Sequence, residues 1–315
     1  MIGAAISGYL GWRYGYVAVF ALALNVLVGY AGLVSLGHAG LFAIAGYSGA
    51  LMLQAGYGHL VADSTAMAIT LVASALFAAL ALRSTGIGFL MITLALGQIV
   101  WGVAYRWASL TNGDNGVNVS TRPAPFGLSL ASAPSFYFAT LVVFLLAMAS
   151  MAVFVRSPFG ASLCGTRDQP RRMNALGYNV WLIRFVAFLF SGFWTGVAGL
   201  LFIYYNQFVS PQVAALQASA EALLMVISGG TATLLGPIVG AAIVVIMKNV
   251  KLFENWWILG ELFTHWNMML GVIFVAIVTF MPEGLVPGSV RLWRKGLQSV
   301  RKRPAVPAKL EERAP

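Results

Sequence analysis

Charge is scarce in this sequence: Asp, Glu, Lys and Arg make up 9% of its 315 residues, against 60% hydrophobic residues. A water-soluble globule needs far more polar surface to cover itself, so a soluble fold is excluded and lipid is the main solvent. Acidic residues are scarcest, 9 against 19 basic ones, and neither paired carboxylates nor a Ser/His/Asp spacing inside the apolar stretches supports an intramembrane hydrolase. The single cysteine, Cys164, forbids an intrachain disulfide and suits a reducing compartment. His38, His59 and His265 lie far apart without the i, i+4 pairing of a helical zinc motif, so no metal site is expected. None of the lysines, Lys248, Lys251, Lys295, Lys302 and Lys309, follows a glycine in a phosphate-cradling Gly-Lys-Ser/Thr loop. Any ATP used must then be bound by another subunit. The opening MIGAAISGYLGW lacks the basic start and cleavage site of a signal peptide.

What fills the chain instead is apolar sequence, with a mean hydropathy of +0.84. Apolar runs at 13–30, 35–54, 61–82, 87–107, 135–155, 180–205, 213–229, 232–250 and 265–281 approach the length of about 20 residues that a helix needs to cross a bilayer. The fold class expected is all-α: a polytopic transmembrane bundle of about nine to ten spans with broken helices, the tenth being an incomplete helix near Met1. The net charge of +10 is not a nucleic-acid footprint. The basic residues gather at 156–184 and after Pro282, and both segments belong in the cytoplasm by the positive-inside rule. Alternation from them puts 108–134 and 251–264 outside, with Lys248 and Lys251 as exceptions to the rule. The expected division is a transmembrane domain over 1–285, containing a cytoplasmic loop at 156–180 and an external loop at 108–134. A basic cytoplasmic tail over 286–315 follows, expected to be disordered at its end.

Glycine numbers 34, and Gly11/Gly15, Gly192/Gly196 and Gly236/Gly240 form G-x-x-x-G pairs that let helix backbones approach closely. Two stretches dense in glycine and small polar residues, GYAGLVSLGHAG at 29–40 and SGGTATLLGP at 228–237, read either as broken helices on a translocation path or as tight turns between antiparallel helices. Unwound backbone at membrane depth needs protein or a water-filled cavity to satisfy it. Gly29, Gly32, Gly37 and Gly40 in the first stretch, Gly229, Gly230, Gly236 and Gly240 in the second, with Gly192 and Gly196, are the candidate hinge and packing positions. Glu221 reads as the single acidic residue within an apolar run, and is singled out because intramembrane charge is costly enough to signal function. A structural or interfacial glutamate is the other reading. Asn25, Ser35, His38 and Gln98 complete the candidate path, each also readable as an interhelical hydrogen-bonding group.

NVLVGYAGLVSLGHAG at 25–40, RSPFGASLCGTRDQPRRMNALGYNV at 156–180, SAEALLMVISGGTATLLGPIVGAA at 219–242 and the closing MPEGL at 281–285 resemble LivM-type branched-chain amino acid permeases, over about Tyr14 to Leu285. The resemblance implies the transmembrane subunit of an ATP-binding-cassette importer in the bacterial inner membrane, itself not an enzyme. Its partners would be a homologous second permease (LivH-like), two cytoplasmic ATPase subunits that bind ATP-Mg, and an external or periplasmic solute-binding protein. It also makes 156–180 the segment that docks on an ATPase, through Gly160, Arg167, Asp168, Arg171, Arg172, Ala175, Leu176 and Gly177. Pro170 departs from the family pattern before Ala-Leu-Gly, and a coupling helix is expected to start at or after it. A stand-alone ion-coupled transporter or channel is the alternative. Such proteins usually bind their coupling ion with intramembrane charge.

Overall fold

In a computed structural model the chain is described at residues 2–119 and 133–248, and at positions 271, 272, 275, 279, 284–286 and 288. The expected span at 265–281 and the tail at 286–315 lie outside the described residues but for those positions, as do His265 and 120–132 of the expected external loop.

The described chain is a helical bundle in the order α1 (Ile2–Asn25), a π-helical turn (Val26–Ala31), α2 (His38–Gln54), α3 (His59–Ala81), α4 (Ile87–Arg106), α5 (Ala108–Thr111), α6 (Ala133–Arg156), α7 (Pro158–Asp168), α8 (Pro170–Ala175), α9 (Val180–Asn206), α10 (Leu216–Gly229) and α11 (Gly236–Lys248). Among the described residues, five helical stretches are long and apolar enough to cross a bilayer: Tyr14–Ala31, α3, α4, α9 and Pro134–Arg156 of α6. Burial separates them into layers. The Tyr14–Ala31 stretch is 83% buried and α9 61%, against 33%, 22% and 17% for α3, α4 and α6, so α1 and α9 form the centre and the other three the perimeter.

The perimeter helices turn their large apolar side chains outward. Ile69, Val72, Leu76 and Leu80 of α3, Ile87, Met91, Ile99 and Val103 of α4, and Phe138, Val142, Leu146 and Val153 of α6 are exposed at helical spacing, as lipid contact demands. Polar and small residues face inward instead, where Thr70, Ser74, Thr93 and Thr140 are buried. Helices lack a hydrophobic drive to associate in lipid, so close approach of backbones matters more. A Cβ on Gly15 would fall on the Thr140 methyl of α6, and one on Gly192 on the Ser74 hydroxyl of α3. Gly196 sits 3.1 Å from Met67 and Thr70 by the same construction.

α10 and α11 form a tight hairpin. A Cβ on Gly229 would strike the Gly236 carbonyl, and one on Gly240 the Met225 carbonyl, a register in which one number falls as the other rises, as antiparallel packing requires. Gly230 closes α10 at φ 114, a conformation open to glycine. Thr233 builds the turn, donating to the Gly230 carbonyl at 2.9 Å and accepting the Gly236 N–H at 3.0 Å. α10 has 14 residues, hence about 21 Å, short of the roughly 30 Å hydrocarbon core. The apolar run at 213–229 is thus a short helix preceded by a 3-10 turn (Pro211–Ala214) and not one full crossing.

Two ends of the bundle can be told apart. At one, α7 and α8 connect α6 to α9; this is the connector end. At the other, the two-residue strands β1 (Val117–Asn118) and β2 (Phe208–Val209) pair antiparallel, Val117 opposite Val209 and Asn118 opposite Phe208. Val119 N–H adds a bond to the Gln207 carbonyl at 2.8 Å and Gln54 donates to the Asn118 carbonyl at 3.1 Å. The described part of the segment 108–134 is therefore tied to the α9–α10 connection, a pairing its polar composition did not announce.

Candidate functional site

The two glycine-rich breaks meet at the connector end. α1 widens into the π-helical turn and stops at Gly32, whose φ of 68 favours glycine at a helix end. On this turn a Cβ at Gly29 would strike the backbone nitrogen of Ala232 in the α10–α11 turn. Asn25, buried at 1% exposure, clamps that contact. Its side-chain NH2 donates to the Thr233 carbonyl at 2.9 Å, and its Oδ1 accepts the Ala232 N–H at 3.3 Å. Gly284 lies against Gly229 and Gly230.

The connector enters the same junction. Arg167, near the end of α7, donates from its guanidinium to the Gly29 carbonyl at 2.6 Å, while its Nε bonds Asp168 at 2.8 Å. The hydrogen bond it donates to Asp168 holds the Arg167 guanidinium pKa above its ordinary value. The arginine stem lies over Gly32, where a Cβ would stand 2.5 Å from Cγ. Arg184 of α9 donates to the Thr166 carbonyl at 2.6 Å, fixing α7 on the bundle. α7, break one and break two are thus joined through Arg167, Gly29 and Asn25.

Locally, Ser157 and Pro158 start α7: the serine hydroxyl accepts the Gly160 N–H at 3.2 Å, and proline occupies the first turn. A Cβ on Gly160 would strike the Val155 carbonyl. The longer helix of the connector is α7, with 11 residues ahead of Pro170, while the helix that starts at Pro170, α8, has only 6. Its residues Arg171, Arg172 and Ala175 are exposed, as are Asp168, Leu176 and Gly177, with Leu176 at 65%.

His38 and Ser35 lie in the interior, beside the first break. Ser191 of α9 has one hydroxyl proton, which it gives to the Ala23 carbonyl at 2.6 Å. It must then accept from His38 Nε2, at 3.0 Å, which leaves Nδ1 to accept the Ser35 hydroxyl at 2.8 Å. The ring is fully partnered and 1% exposed; it locks α1, α2 and α9 together. Leu36 N–H bonds Thr93 at 3.2 Å, and a Cβ on Gly37 would stand 2.6 Å from the Thr93 carbonyl. One on Gly40 would stand 3.2 Å from Gly97, next to half-buried Gln98 on α4.

Glu221 stands apart from these groups. It lines a cavity of about 350 Å³ bounded by α1, α2, α9, α10, α11 and the 3-10 turn, and it is ion-paired with Lys248 of α11. Sequence reading missed a second acidic residue inside an expected span: Asp63 of α3 accepts the Tyr204 hydroxyl at 2.5 Å. Its position in 61–82 was the available signal.

Lipid-facing helices around two interlocked breaks, with a basic connector attached to them, define an integral membrane protein of the permease class. The family model described as "Branched-chain amino acid transport system / permease component" matches residues 8–278, and the chain belongs to that family. It is similar to the "high-affinity branched-chain amino acid transport system permease protein LivM" of Salmonella typhimurium and to the protein of the same name from Escherichia coli. Each is 28% identical over 293 residues, covering 85% of this chain and 67% of the relative. No solved structure gives a significant match.

Proposed function

We propose that this chain is the transmembrane subunit of an ATP-binding-cassette importer for branched-chain amino acids or a related small polar solute, and couples ATP hydrolysis by partner subunits to inward movement of solute. The observation that carries the reading is the continuity from exposed Leu176 and the α8 arginines, through α7 and the Arg167 bond to Gly29, to both helix breaks. An exposed apolar residue flanked by arginines suits an apolar groove with an acidic rim on an ATPase. Gly160, Arg167, Asp168, Arg171, Arg172, Ala175, Leu176 and Gly177 form or position this docking segment. The connector end then faces the cytoplasm, the β1–β2 end faces the solute-binding protein outside, and a second, homologous permease pairs with this one in the inner membrane. The nucleotide and its Mg belong to the ATPases. Asn25, Ser35, His38, Gln98 and Glu221 are the path and path-supporting residues, and the glycines of the two breaks absorb the backbone change of alternating access.

Leu176→Asp combined with Arg171→Glu tests the docking segment. ATPase co-purification and ATP-driven uptake should both be lost, while the permease still inserts and pairs. Wild-type co-purification and uptake in this variant would refute the assignment.

A further inference from the structure

We propose that the Glu221 cavity is a solute subsite for a zwitterion with an apolar side chain, in which Glu221 takes the ammonium group and Lys248 the carboxylate. The proposal rests on the reading of the chain as an amino acid permease and adds the place and polarity of binding. One wall is a continuous aromatic surface. Phe20 and Phe42 have ring centroids 4.9 Å apart, Phe42 and Phe202 5.3 Å, and Phe202 and Tyr16 5.5 Å, and all four rings line the cavity. At another side stand two opposite charges on separate helices, Glu221 on α10 and Lys248 on α11, in direct contact. The cavity, about 350 Å³, falls at the lower end of the roughly 300–1,000 Å³ range of small-molecule sites, which combine apolar walls with a few placed polar groups.

The ion pair is poorly explained as a stability device. The Glu221 side chain is 13% exposed and that of Lys248 33%, and an ion pair that water reaches adds little to stability. Charge inside a membrane protein is retained for function. A zwitterion offers the complementary pair of charges. It can replace one Glu–Lys contact by two charge-assisted contacts, with its alkyl chain on the aromatic wall. An amine or an acid alone would give up the Glu–Lys contact for a single new one and gain nothing by the exchange, so neither should compete.

The test uses the complete transporter in lipid nanodiscs. With Cys164→Ala removing the chain's single cysteine, Ala218→Cys places a thiol on the cavity lining. Millimolar L-leucine should slow maleimide labelling of that thiol by at least about threefold in the nucleotide-free or the ATP-bound state. Isoamylamine and 4-methylpentanoate, leucine without its carboxylate or its ammonium, should leave the rate unchanged. Adding Glu221→Gln should abolish protection. Equal rates with and without L-leucine in both states, or equal protection by the two single-charge analogues, would overturn the proposal. The double swap Glu221→Lys/Lys248→Glu supplies a second criterion, because it keeps an ion pair between α10 and α11 and reverses its poles. A structural staple predicts recovery of wild-type uptake, which would also overturn the proposal. A solute subsite predicts uptake at least about tenfold below wild type with normal assembly. Labelling reads the site without relying on uptake, and the proposed function stands or falls separately on whether uptake by the wild type needs ATP.

Discussion

Asn25→Leu removes the clamp between the two breaks while keeping nearly the same side-chain volume. It deletes the 2.9 Å bond to the Thr233 carbonyl and the 3.3 Å bond from the Ala232 N–H. Interhelical hydrogen bonds in membrane proteins average about 0.6 kcal/mol, which sets a lower bound of about 1 kcal/mol for the two. An upper bound comes from the cost of leaving a buried polar group without a partner, about 1–3 kcal/mol each. Ala232 N–H and Thr233 carbonyl would both be left so, giving about 2–6 kcal/mol. At about 1.4 kcal/mol per factor of ten, even the middle of this range moves the closed junction by tenfold or more. Because stability is spread over a large bundle, the same loss lowers the melting temperature by only a few degrees per kcal/mol, about 2–4 °C by the scaling for large domains. The expected signature is therefore a fall in ATP-driven uptake of at least about fivefold, a melting temperature of the purified complex lower by about 2–4 °C per kcal/mol lost, and an unchanged subunit composition. Uptake within about twofold of wild type at equal protein would refute the claim that the junction of the breaks transmits motion.

Arg167→Met keeps an aliphatic stem over Gly32 and deletes the 2.6 Å bond to the Gly29 carbonyl; bonds to charged groups contribute about 1.5–3 kcal/mol. ATPase activity stimulated by the solute-binding protein should persist while uptake per ATP falls, and equal losses of both would count against a transmitting role. Ser191→Ala leaves His38 Nε2–H and the Ala23 carbonyl without their shared partner at about 1–3 kcal/mol. It should lower the melting temperature without changing the KM for uptake, whereas a raised KM with unchanged melting would make His38 a solute contact.

Membrane embedding and the helical class were legible because lipid imposes them through composition, and the observed perimeter repeats the argument residue by residue in Val72, Met91 and Val142. The interruptions at 29–40 and 228–237 were legible too, since glycine and small polar residues break the apolar runs there, and of the two readings the structure has turns between successive helices, α1 to α2 and α10 to α11. Their meeting was not: Asn25 and Thr233 are 208 positions apart, and a lone amide in a span says nothing about its partner. Arg167 shows the same limit, because a basic loop says nothing of the Gly29 carbonyl, 138 positions away on the π-helical turn, that its guanidinium reaches. The length of α7 could have been read from Ser157, Pro158 and Gly160, an N-terminal capping pattern overshadowed by Pro170. The apolar run at 213–229 looked like one crossing because hydropathy ignores where backbone geometry changes, here from a 3-10 turn to the short α10.

The claim that this chain is the membrane part of an ATP-driven importer is tested most directly by L-leucine uptake into proteoliposomes holding both permeases, both ATPases and the solute-binding protein. Uptake that continues when ion gradients are collapsed and stops when ATP is withdrawn is predicted. Uptake that survives ATP withdrawal and stops with the ion gradient would contradict it and make this chain an ion-coupled carrier.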